Sequence, residues 1–408
     1  MNKKIVIIGA GPAGTAVALN LRTHGYTGTI SMFSAEDTSP YSPAALGEYL
    51  IRNNKEVLHW HGIEFCKDNQ IDYFPAEKVR HIKPVQKQIR TERDRTVEYD
   101  SLVIASGSTL FIPNTVKGAD RQDILNFKNL SGAGRIKELA EKGNKSAVIV
   151  GGGFIGVEIA LCLSKIGITP SVLNRRGWIM PRLLDPETSE YVVEDLKAQG
   201  VSPLLHTEGK RFIGNGRVTG IETVDGRILN ADIFIAATGV RPNVDFLEGS
   251  GIDYDEHGIA VDAKLRTMDT NIYACGDVAK TIDLITGETK IHGLYPVAVN
   301  HGKTVALNIL GFEQDYEKQF SMNSLKEFSF KIIVVGSLTG DEIKYKKNGV
   351  LRKVFLQDGK LNGFVLVRDI GNAGYLFSLL KKRKQVEKYG SAIVVPSFGP
   401  AYGMTLLK

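Results

Sequence analysis

The feature that most constrains the fold of this chain is a near-repeat of one short plan. The first copy is the apolar run Lys4–Ile8, followed by Gly9-Ala10-Gly11-Pro12-Ala13-Gly14 and a helical pattern. The second copy is Ala147–Val150, followed by Gly151-Gly152-Gly153-Phe154-Ile155-Gly156 and another helical pattern. Each copy therefore predicts a strand, a G-x-G-x-x-G turn and a helix. One such turn is weak evidence, whereas two in the same context strongly favour a pair of doubly wound units.

The glycine spacing indicates what these units bind. The first glycine permits a tight turn, the second lets backbone approach a pyrophosphate, and the third lets the helix pack closely on its strand. The helix N-terminus then supplies free N–H groups and the positive end of a dipole. Each copy is followed by an apolar strand ending in a small residue and glycine, Ala105-Ser106-Gly107 and Ala237-Thr238-Gly239. We therefore predict two dinucleotide-binding units of similar plan.

Composition excludes several other classes of protein. The 408 residues carry a modest net charge of +6 and only three cysteines, Cys66, Cys162 and Cys275, without a CxxC pair or metal-ligand spacing. A disulfide framework, a cysteine-ligated iron–sulfur cluster and a metal site are therefore not expected. No apolar run is long enough for a transmembrane helix, so no membrane association is expected. The first apolar run enters a glycine turn instead of a signal-peptide cleavage site, which makes the cytoplasm the default location.

The densest basic cluster is Lys381-Lys382-Arg383-Lys384. A solvated helix face is the favoured interpretation, because short charge runs usually are that. The alternative is a docking patch for an acidic electron-transfer partner. No aromatic residues interleave with it, so nucleic acid is not an expected partner.

The chain resembles the flavoprotein reductases of the pyridine nucleotide–disulfide oxidoreductase superfamily. The resemblance is carried by the two glycine turns, the two strand-end segments Ala105-Ser106-Gly107 and Ala237-Thr238-Gly239, the following Val240-Arg241-Pro242-Asn243, and the stretch Thr270-Asn271-Ile272-Tyr273-Ala274-Cys275-Gly276-Asp277. The resemblance implies an α/β protein with two doubly wound, Rossmann-like domains, the second inserted in the first, and a small α+β C-terminal domain. The predicted boundaries are 1–113 with 243–314 for the FAD-binding domain, 114–242 for the NAD(P)H-binding domain and 315–408 for the C-terminal domain.

The resemblance places FAD on the first glycine turn. Glu36 is also expected from spacing, because it follows the second strand roughly 20 residues past the turn, where a ribose-binding carboxylate is usual. A solvated loop carboxylate is the alternative for Glu36, and a simple turn aspartate is the alternative for Asp277. The implied FAD-binding residues are Gly9, Gly11, Pro12, Ala13, Gly14, Glu36, Val79, Ser106, Gly107, Gly276, Asp277, Pro296 and Val297.

The inserted unit is expected to bind the nicotinamide cofactor. Asn174 stands where an NAD site usually carries an acidic residue, and Arg175 and Arg176 follow it. Compared with a usual NAD site, this chain lacks the carboxylate and has two additional cations, which favours NADPH. NADH remains possible if both arginines are solvated. Glu158 resembles a family glutamate near the nicotinamide–flavin contact and is the one catalytic candidate, with a helix-surface carboxylate as the alternative. The implied residues for this cofactor are Gly151, Gly153, Phe154, Ile155, Gly156, Asn174, Arg175, Arg176 and Gly239.

The absence of redox-active cysteines from the family's usual positions narrows the choice of electron acceptor. No CxxxxC pair follows the first turn, and Ala44 in Tyr41-Ser42-Pro43-Ala44 stands where related thiol enzymes carry cysteine. A methyl group has no redox chemistry, so the thiol branches are disfavoured. The chain therefore resembles the branch of the superfamily without a redox-active thiol, which includes ferredoxin and rubredoxin reductases and the flavoprotein parts of nitrite reductase and phenylglyoxylate dehydrogenase. The segments 323–326 and 363–374 support this resemblance. The lysine that ferredoxin reductases carry near the flavin, in R-P-P-L-S-K, has no counterpart here.

The sequence therefore predicts an FAD-dependent NAD(P)H oxidoreductase that passes electrons to a redox protein or partner subunit. One alternative is a stand-alone NAD(P)H oxidase or small-molecule or quinone reductase. Another is a redox-sensing flavoprotein that turns over slowly. A homodimer or a place in a larger complex is possible, and the tail 396–403 is expected to be an ordinary surface loop, with a partner-binding extension as the alternative.

Overall fold

The computed structural model describes residues 3–113, 116–325 and 327–401. Its helices in this part of the chain are α1 (Pro12–Thr23), α2 (Leu46–Arg52), α3 (Phe65–Asp68), α4 (Leu130–Glu141), α5 (Phe154–Lys165), α6 (Pro186–Ala198), α7 (Tyr295–Ile309) and α8 (Ala373–Lys381). Its strands are β1 (Lys4–Ile8), β2 (Thr29–Phe33), β3 (Asp72–Phe74), β4 (Val79–Lys83), β5 (Gln88–Thr91), β6 (Thr96–Glu98), β7 (Ser101–Ile104), β8 (Ser108–Leu110), β9 (Ile124–Leu125), β10 (Ser146–Val150), β11 (Thr169–Leu173), β12 (Ser202–Leu204), β13 (Gly209–Ile213), β14 (Gly220–Thr223), β15 (Ile228–Asn230), β16 (Ile233–Ala236), β17 (Val240–Pro242), β18 (Tyr254–Asp255), β19 (Gly258–Ala260), β20 (Ile272–Ala274), β21 (Ala279–Ile282), β22 (Thr289–Lys290), β23 (Met322–Leu325), β24 (Ile332–Gly336), β25 (Asp341–Lys347), β26 (Val350–Gln357) and β27 (Lys360–Val367).

Two parallel sheets share the order of four strands, while the fifth comes last in the chain in the first sheet and first in the second. The first runs β3-β2-β1-β7-β20 and the second runs β12-β11-β10-β16-β9. Each is accompanied by a three-stranded antiparallel meander, β4-β5-β6 in one case and β13-β14-β15 in the other. The expected pair of doubly wound, Rossmann-like units is therefore confirmed, and the repeat extends beyond the glycine turns.

The second unit is inserted in the first. β20, the last strand of the first sheet, comes after all strands of the second sheet, so the chain leaves the first unit and returns to it. The outgoing and returning segments, β8 and β17, pair antiparallel with each other. Asn243 also exchanges hydrogen bonds with Ser106 across this crossover, its Nδ2 donating to the Ser106 carbonyl while Ser106 Oγ donates to the Asn243 carbonyl, each at 2.8 Å. The numerical domain boundaries stay predictions, and Asn114 and Thr115 lie outside the described residues.

Alternate side chains of the central strand β1 pack on opposite faces of the first sheet. Ile5 and Ile7 pack against α1 and α7, while Val6 and Ile8 belong to the core on the other face. All four are buried, as a parallel strand covered on both faces requires.

The C-terminal domain is an antiparallel sheet, β23-β24-β27-β26-β25, with α8 on one face. Neighbouring residues of β27 face opposite cores, because side chains alternate along a strand. Phe364 and Leu366 pack with α8, whereas Val365 and Val367 join a core that also contains helices of both dinucleotide units. This domain is α+β, as expected.

The C-terminal tail differs from the predicted surface loop. Residues Glu387–Val394 form a 3-10 helix, and Phe398 is buried among Tyr375 and Tyr389 with ring centroids 5.5 and 5.1 Å away. The polar and glycine-rich neighbours of Phe398 concealed this anchor, because its aromatic partners lie elsewhere in the chain. Tyr402 and Gly403 lie outside the described residues. In the described part of the chain, no helix has both the length and the apolar character needed to cross a membrane.

Candidate functional site

The two glycine turns have the same geometry. Gly9 and Gly151 have positive φ values of 110° and 121°, which glycine adopts without strain. A β-carbon on Gly14 would lie 2.0 Å from the Gly9 carbonyl oxygen, and one on Gly156 would lie 1.9 Å from that of Gly151. The third glycine of each turn is therefore required for packing of helix on turn. By contrast, a β-carbon on Gly11 or Gly153 would meet no atom within 4 Å.

A cavity of about 900 Å³ opens in front of the first turn. It is lined mainly by the first unit, but also by residues of the inserted unit and by Ser321–Ser324 at the start of the C-terminal domain. Of the residues expected to bind FAD, those on its wall are Gly9, Gly11, Pro12, Ala13, Glu36, Val79, Ser106, Gly107, Gly276, Asp277 and Pro296. Gly14 and Val297 are not on the wall but are buried behind it.

These residues fit FAD. The volume lies within the roughly 300–1,000 Å³ typical of small-molecule and cofactor sites. The cavity extends from Glu36 and Val79, where the adenosine is expected, past the glycine turn to Asp277 and the N-terminus of α7 at Tyr295. The open space at Gly11 gives a pyrophosphate room to contact backbone N–H groups at the start of α1.

Through Tyr41, Glu36 is linked to the inserted unit at this end of the cavity. The hydroxyl of Tyr41 donates to the Glu36 carboxylate, at 3.1 and 3.0 Å from its two oxygens, and accepts from the N–H of Leu130 at the start of α4, at 2.9 Å. Burial raises the pKa of Glu36, although the Tyr41 hydrogen bond opposes that shift. Tyr41 was not among the predicted site residues, because its partner Leu130 is 89 residues away in sequence.

At the opposite end, Asp277 lies among groups from several segments. Ser108 Oγ donates to Asp277 Oδ2 at 3.0 Å, and Lys128 Nζ lies 3.6 Å from the same oxygen. Lys128 lines the cavity from the inserted unit and was missed by sequence reasoning, because no local motif marks it. It supplies a cation to a cavity whose first unit lacks the lysine of ferredoxin reductases.

No reactive thiol borders the cavity among the described residues. Ala44, which stands in place of a cysteine, is exposed on the wall. Cys275 is on the wall but completely buried, and burial raises its pKa to about 12. Burial likewise raises the pKa of Cys66 to about 12. Thiols with such pKa values are protonated at neutral pH and react poorly.

The second turn carries the other predicted set. Phe154 and Ile155, the first residues of α5, reach the wall of the FAD cavity. A β-carbon on Gly239 would meet no atom within 4 Å. Asn174 directly follows β11, the second strand of the inserted unit, as expected. The Asn174 amide is committed to structure, because its Nδ2 donates to the carbonyls of Arg176 and Trp178 at 3.0 and 2.6 Å.

Glu158, the catalytic candidate, lies on α5 one turn past Phe154 and is not on the cavity wall. A β-carbon on Gly47 of α2 would lie 3.8 Å from Glu158 Oε1 and 3.1 Å from Cys162 Sγ. Glu158 therefore sits at the packing contact between α2 and α5. Its proximity to Cys162 adds to the effect of burial in raising the pKa of that thiol.

Comparisons with known proteins agree with this geometry. The chain is 28% identical over 392 residues to an NADH oxidase of Methanocaldococcus jannaschii, covering 89% of this chain and 87% of that one. It is 27% identical over 420 residues to an assimilatory nitrate reductase electron transfer subunit of Bacillus subtilis, covering 98% of this chain but only 52% of that relative. The chain thus spans about half the length of this second relative.

Among solved structures, a ferredoxin reductase for the CYP199A2 system from Rhodopseudomonas palustris matches with a TM-score of 0.86 and 26% identity. The match covers 94% of this chain and 96% of that chain. The family model described as pyridine nucleotide-disulphide oxidoreductase matches residues 3–302, which contain both glycine turns. The chain therefore belongs to the pyridine nucleotide-disulphide oxidoreductase family.

Proposed function

We propose that this protein is an FAD-dependent NAD(P)H oxidoreductase that delivers electrons to a redox protein or a partner subunit. One observation carries the proposal. The first residues of α5, which begin at the second glycine turn, line the same cavity as the first glycine turn. A nucleotide bound at the second turn thus has a short path to a flavin bound at the first.

The chain's residues divide into binding roles. Gly9, Gly11 and the start of α1 hold the FAD pyrophosphate, Glu36 and Val79 face its adenosine, and Asp277 with Lys128 faces the opposite part. Bound FAD would accept a hydride and release electrons, and the side chains around it would supply binding and orientation. Phe154 and Ile155 line the cavity on the side from which the second nucleotide would approach the flavin. Glu158 acts behind these two residues, which makes it a positioning residue in this proposal.

Two features favour a protein acceptor. The relative from B. subtilis is named an electron transfer subunit, and the solved R. palustris structure is a ferredoxin reductase. The cavity wall also lacks a reactive thiol in the described residues, which removes a disulfide as the acceptor. An acceptor that takes electrons from the flavin edge requires no further group from this chain.

The stand-alone oxidase is the second candidate, and the M. jannaschii relative named NADH oxidase favours it. The homodimer, membership of a larger complex and the cytoplasmic location remain predictions from sequence. For residues 381–384 a solvated helix face remains the prediction and docking of an acidic partner the alternative; Lys381 is paired with Glu317 at 2.6 Å.

Stopped-flow reduction of the purified yellow protein tests the proposal and separates the two candidates. We expect rapid bleaching of the flavin with NADPH or NADH, followed by slow reoxidation in oxygenated buffer and fast reoxidation by an added ferredoxin or rubredoxin. Fast reoxidation by oxygen alone would establish the oxidase instead. Failure of both nucleotides to bleach the flavin would reject the reductase.

A further inference from the structure

The Tyr41 hydroxyl lies at a junction between the first unit and the inserted unit. It donates to the Glu36 carboxylate, at 3.1 and 3.0 Å from the two carboxylate oxygens, and accepts from the Leu130 N–H at 2.9 Å. Glu36 follows β2 of the first unit, whereas Leu130 is the first residue of α4. One hydroxyl thus connects a carboxylate on the cavity wall to a helix of the other unit.

The same hydroxyl completes the N-terminus of α4. The first N–H groups of a helix have no hydrogen-bond partner within that helix. At the start of α4, the Asn129 side chain accepts from the Gly132 N–H at 2.8 Å, and Tyr41 accepts from the Leu130 N–H. The positive end of the helix dipole therefore lies next to the Tyr41 hydroxyl, with the Glu36 carboxylate directly beyond it.

The segment before α4 extends this connection toward Asp277. Three residues of the segment line the cavity: Asn126, Lys128 and Asn129. Lys128 Nζ lies 3.6 Å from Asp277 Oδ2, at the end of the cavity opposite Glu36. Because Lys128 is two residues before Leu130, anchoring of Leu130 by Tyr41 also restrains the side chain that faces Asp277.

The Glu36 carboxylate can accept further hydrogen bonds besides the one from Tyr41. Its two oxygens offer about four lone-pair directions, so the hydroxyls of a ribose can donate while Tyr41 stays in place. Burial raises the pKa of Glu36, and the hydrogen bond from Tyr41 opposes that shift. Tyr41 therefore favours the ionised carboxylate, which is the stronger acceptor for ribose hydroxyls.

We propose that Tyr41 is a positioning residue that couples FAD binding to the inserted unit, because its hydroxyl holds the Glu36 carboxylate toward the adenosine ribose and caps α4. Ribose bound to Glu36 restrains the carboxylate, the carboxylate restrains the Tyr41 hydroxyl, and the hydroxyl restrains the start of α4. Such coupling is reciprocal, so a well-formed first turn of α4 also favours FAD binding. The inference rests on the proposed function only in that FAD occupies this cavity, and it requires no electron transfer.

Binding of FAD to the full-length apoprotein, followed by quenching of flavin fluorescence, tests the role of the hydroxyl. Tyr41→Phe should weaken FAD binding about tenfold or more, the size of one hydrogen bond to a charged group. In a Glu36→Gln background the same change should weaken binding less, because the hydrogen bond no longer involves a charge. Tyr73→Phe is the matched control and should keep FAD affinity within about threefold, since the Tyr73 hydroxyl donates to the Thr38 carbonyl at 2.6 Å instead.

The pH profile of FAD binding separates positioning from packing. In Tyr41→Phe the effect of burial on Glu36 is no longer opposed by the tyrosine, so the pKa of Glu36 should rise. FAD affinity should therefore begin to fall at a higher pH than in the native protein as the pH is lowered, and Glu36→Gln should lack this step. Tyr73 stays protonated throughout, because burial raises its pKa to about 12. Other charged groups near this end of the cavity are the same in all these proteins: Asp37, Glu77, Lys78 and Lys128.

Hydrogen exchange of the full chain measures the coupling itself. Saturating FAD should slow exchange at the start of α4, in residues 129–133, in the native protein and in Tyr73→Phe, but much less in Tyr41→Phe. Exchange in α8 of the C-terminal domain serves as the internal reference, and urea unfolding of each apoprotein establishes that the variants are folded.

The role of Tyr41 is overturned if Tyr41→Phe binds FAD as tightly as the native protein, or if FAD protects the start of α4 equally in both. If Tyr41→Phe does not fold, the native protein still decides, because an unchanged exchange rate at the start of α4 on FAD binding would reject the coupling. A native protein that shows the coupling but is bleached by neither NADPH nor NADH would keep this role of Tyr41 and lose the reductase function.

Discussion

Single glycines in the turns have different physical reasons for being there. Gly14 and Gly156 face a carbonyl oxygen at a distance that no β-carbon tolerates, so they are required by packing. Gly11 and Gly153 have ordinary extended backbone, with φ of −78° and −81°, and face open space. Alanine at these two positions is therefore compatible with the fold but would place a methyl group where a pyrophosphate must approach.

This difference separates folding from cofactor binding. We expect Gly14→Ala to destabilise the apoprotein by about 3 kcal/mol or more, whereas Gly11→Ala should change the free energy of unfolding by only about 1 kcal/mol. Gly11→Ala should nevertheless be purified without flavin, while Gly153→Ala should remain yellow and respond poorly to NAD(P)H. Urea unfolding and the flavin absorbance per chain measure both effects. Full flavin content in Gly11→Ala would contradict the assigned pyrophosphate site.

We predict that the stability of the protein depends on pH through His301 on α7. Burial is the main cause that lowers its pKa to about 4, and the nearby His292 adds to the effect. Its Nδ1 accepts from the Gly276 N–H at 3.4 Å, which requires the neutral ring. Between pH 6.5 and pH 4 the unfolded chain binds a proton that the folded chain refuses, so stability falls as the pH is lowered through this window.

The loss from His301 should amount to about 3 kcal/mol between pH 7 and pH 4. His301→Asn keeps an acceptor for Gly276 but cannot be protonated, so its stability should fall less than that of the native protein over this range. His257→Asn, whose parent side chain is 77% exposed, serves as the control and should follow the native curve. Identical pH curves for His301→Asn and the native protein would refute this role of His301.

Among the secondary-structure elements, the C-terminal sheet depends on the tail that follows α8. Arg352 on β26 is fully buried, and its Nε donates to the Val394 carbonyl at 2.8 Å, at the end of the 3-10 helix. Asn372 Nδ2 donates to the Phe398 carbonyl at 2.9 Å, next to the buried ring. The tail is thus part of the domain core instead of a detachable extension.

Truncating the Phe398 side chain tests this dependence. Phe398→Ala should cost about 3 kcal/mol or more, because a fully buried ring leaves a cavity between two tyrosines. Phe312→Ala is a suitable control, since that ring is 63% exposed and its loss should cost about 0.5 kcal/mol at most. Equal unfolding midpoints in guanidinium for the two variants would show that the tail contributes little.

Across the whole molecule, three parts share one core. Leu46 and Tyr49 of the first unit, Val157 of the inserted unit, and Leu351 and Val365 of the C-terminal sheet belong to one buried cluster. Ion pairs reinforce the contact between the last two parts. Lys353 Nζ, only 3% exposed, lies 3.0 Å from Asp185 and 2.8 Å from Glu187 at the start of α6.

Lys353→Met should therefore destabilise the protein by about 1–3 kcal/mol, by removing charge-assisted hydrogen bonds from two carboxylates. Asp185 also caps α6, so its environment affects that helix directly. Burial lowers the pKa of Lys353, but the hydrogen bonds to Glu187 and Asp185 outweigh it and raise the pKa overall. Lys347→Met, at the exposed end of the neighbouring strand β25, is the matched control in urea unfolding. If Lys353→Met were as stable as this control, the ion pairs of Lys353 with Asp185 and Glu187 would contribute nothing to the free energy of unfolding.

The sequence by itself determined the two units, their glycine turns and their order, because these features are encoded in short patterns of adjacent residues. Apolar runs marked β1 and β10, and position at the end of a second strand placed Glu36 and Asn174 beside the turns, whereas Asp277 was implied by the family resemblance. Tertiary structure decided what distant segments do to each other. Lys128 beside Asp277, Leu130 on Tyr41, Glu208 beside Arg175 and Phe398 in the last core all depend on contacts between segments far apart in the chain. A local pattern records which backbone a segment adopts, whereas charge pairing and burial arise only when the folded chain brings such segments together.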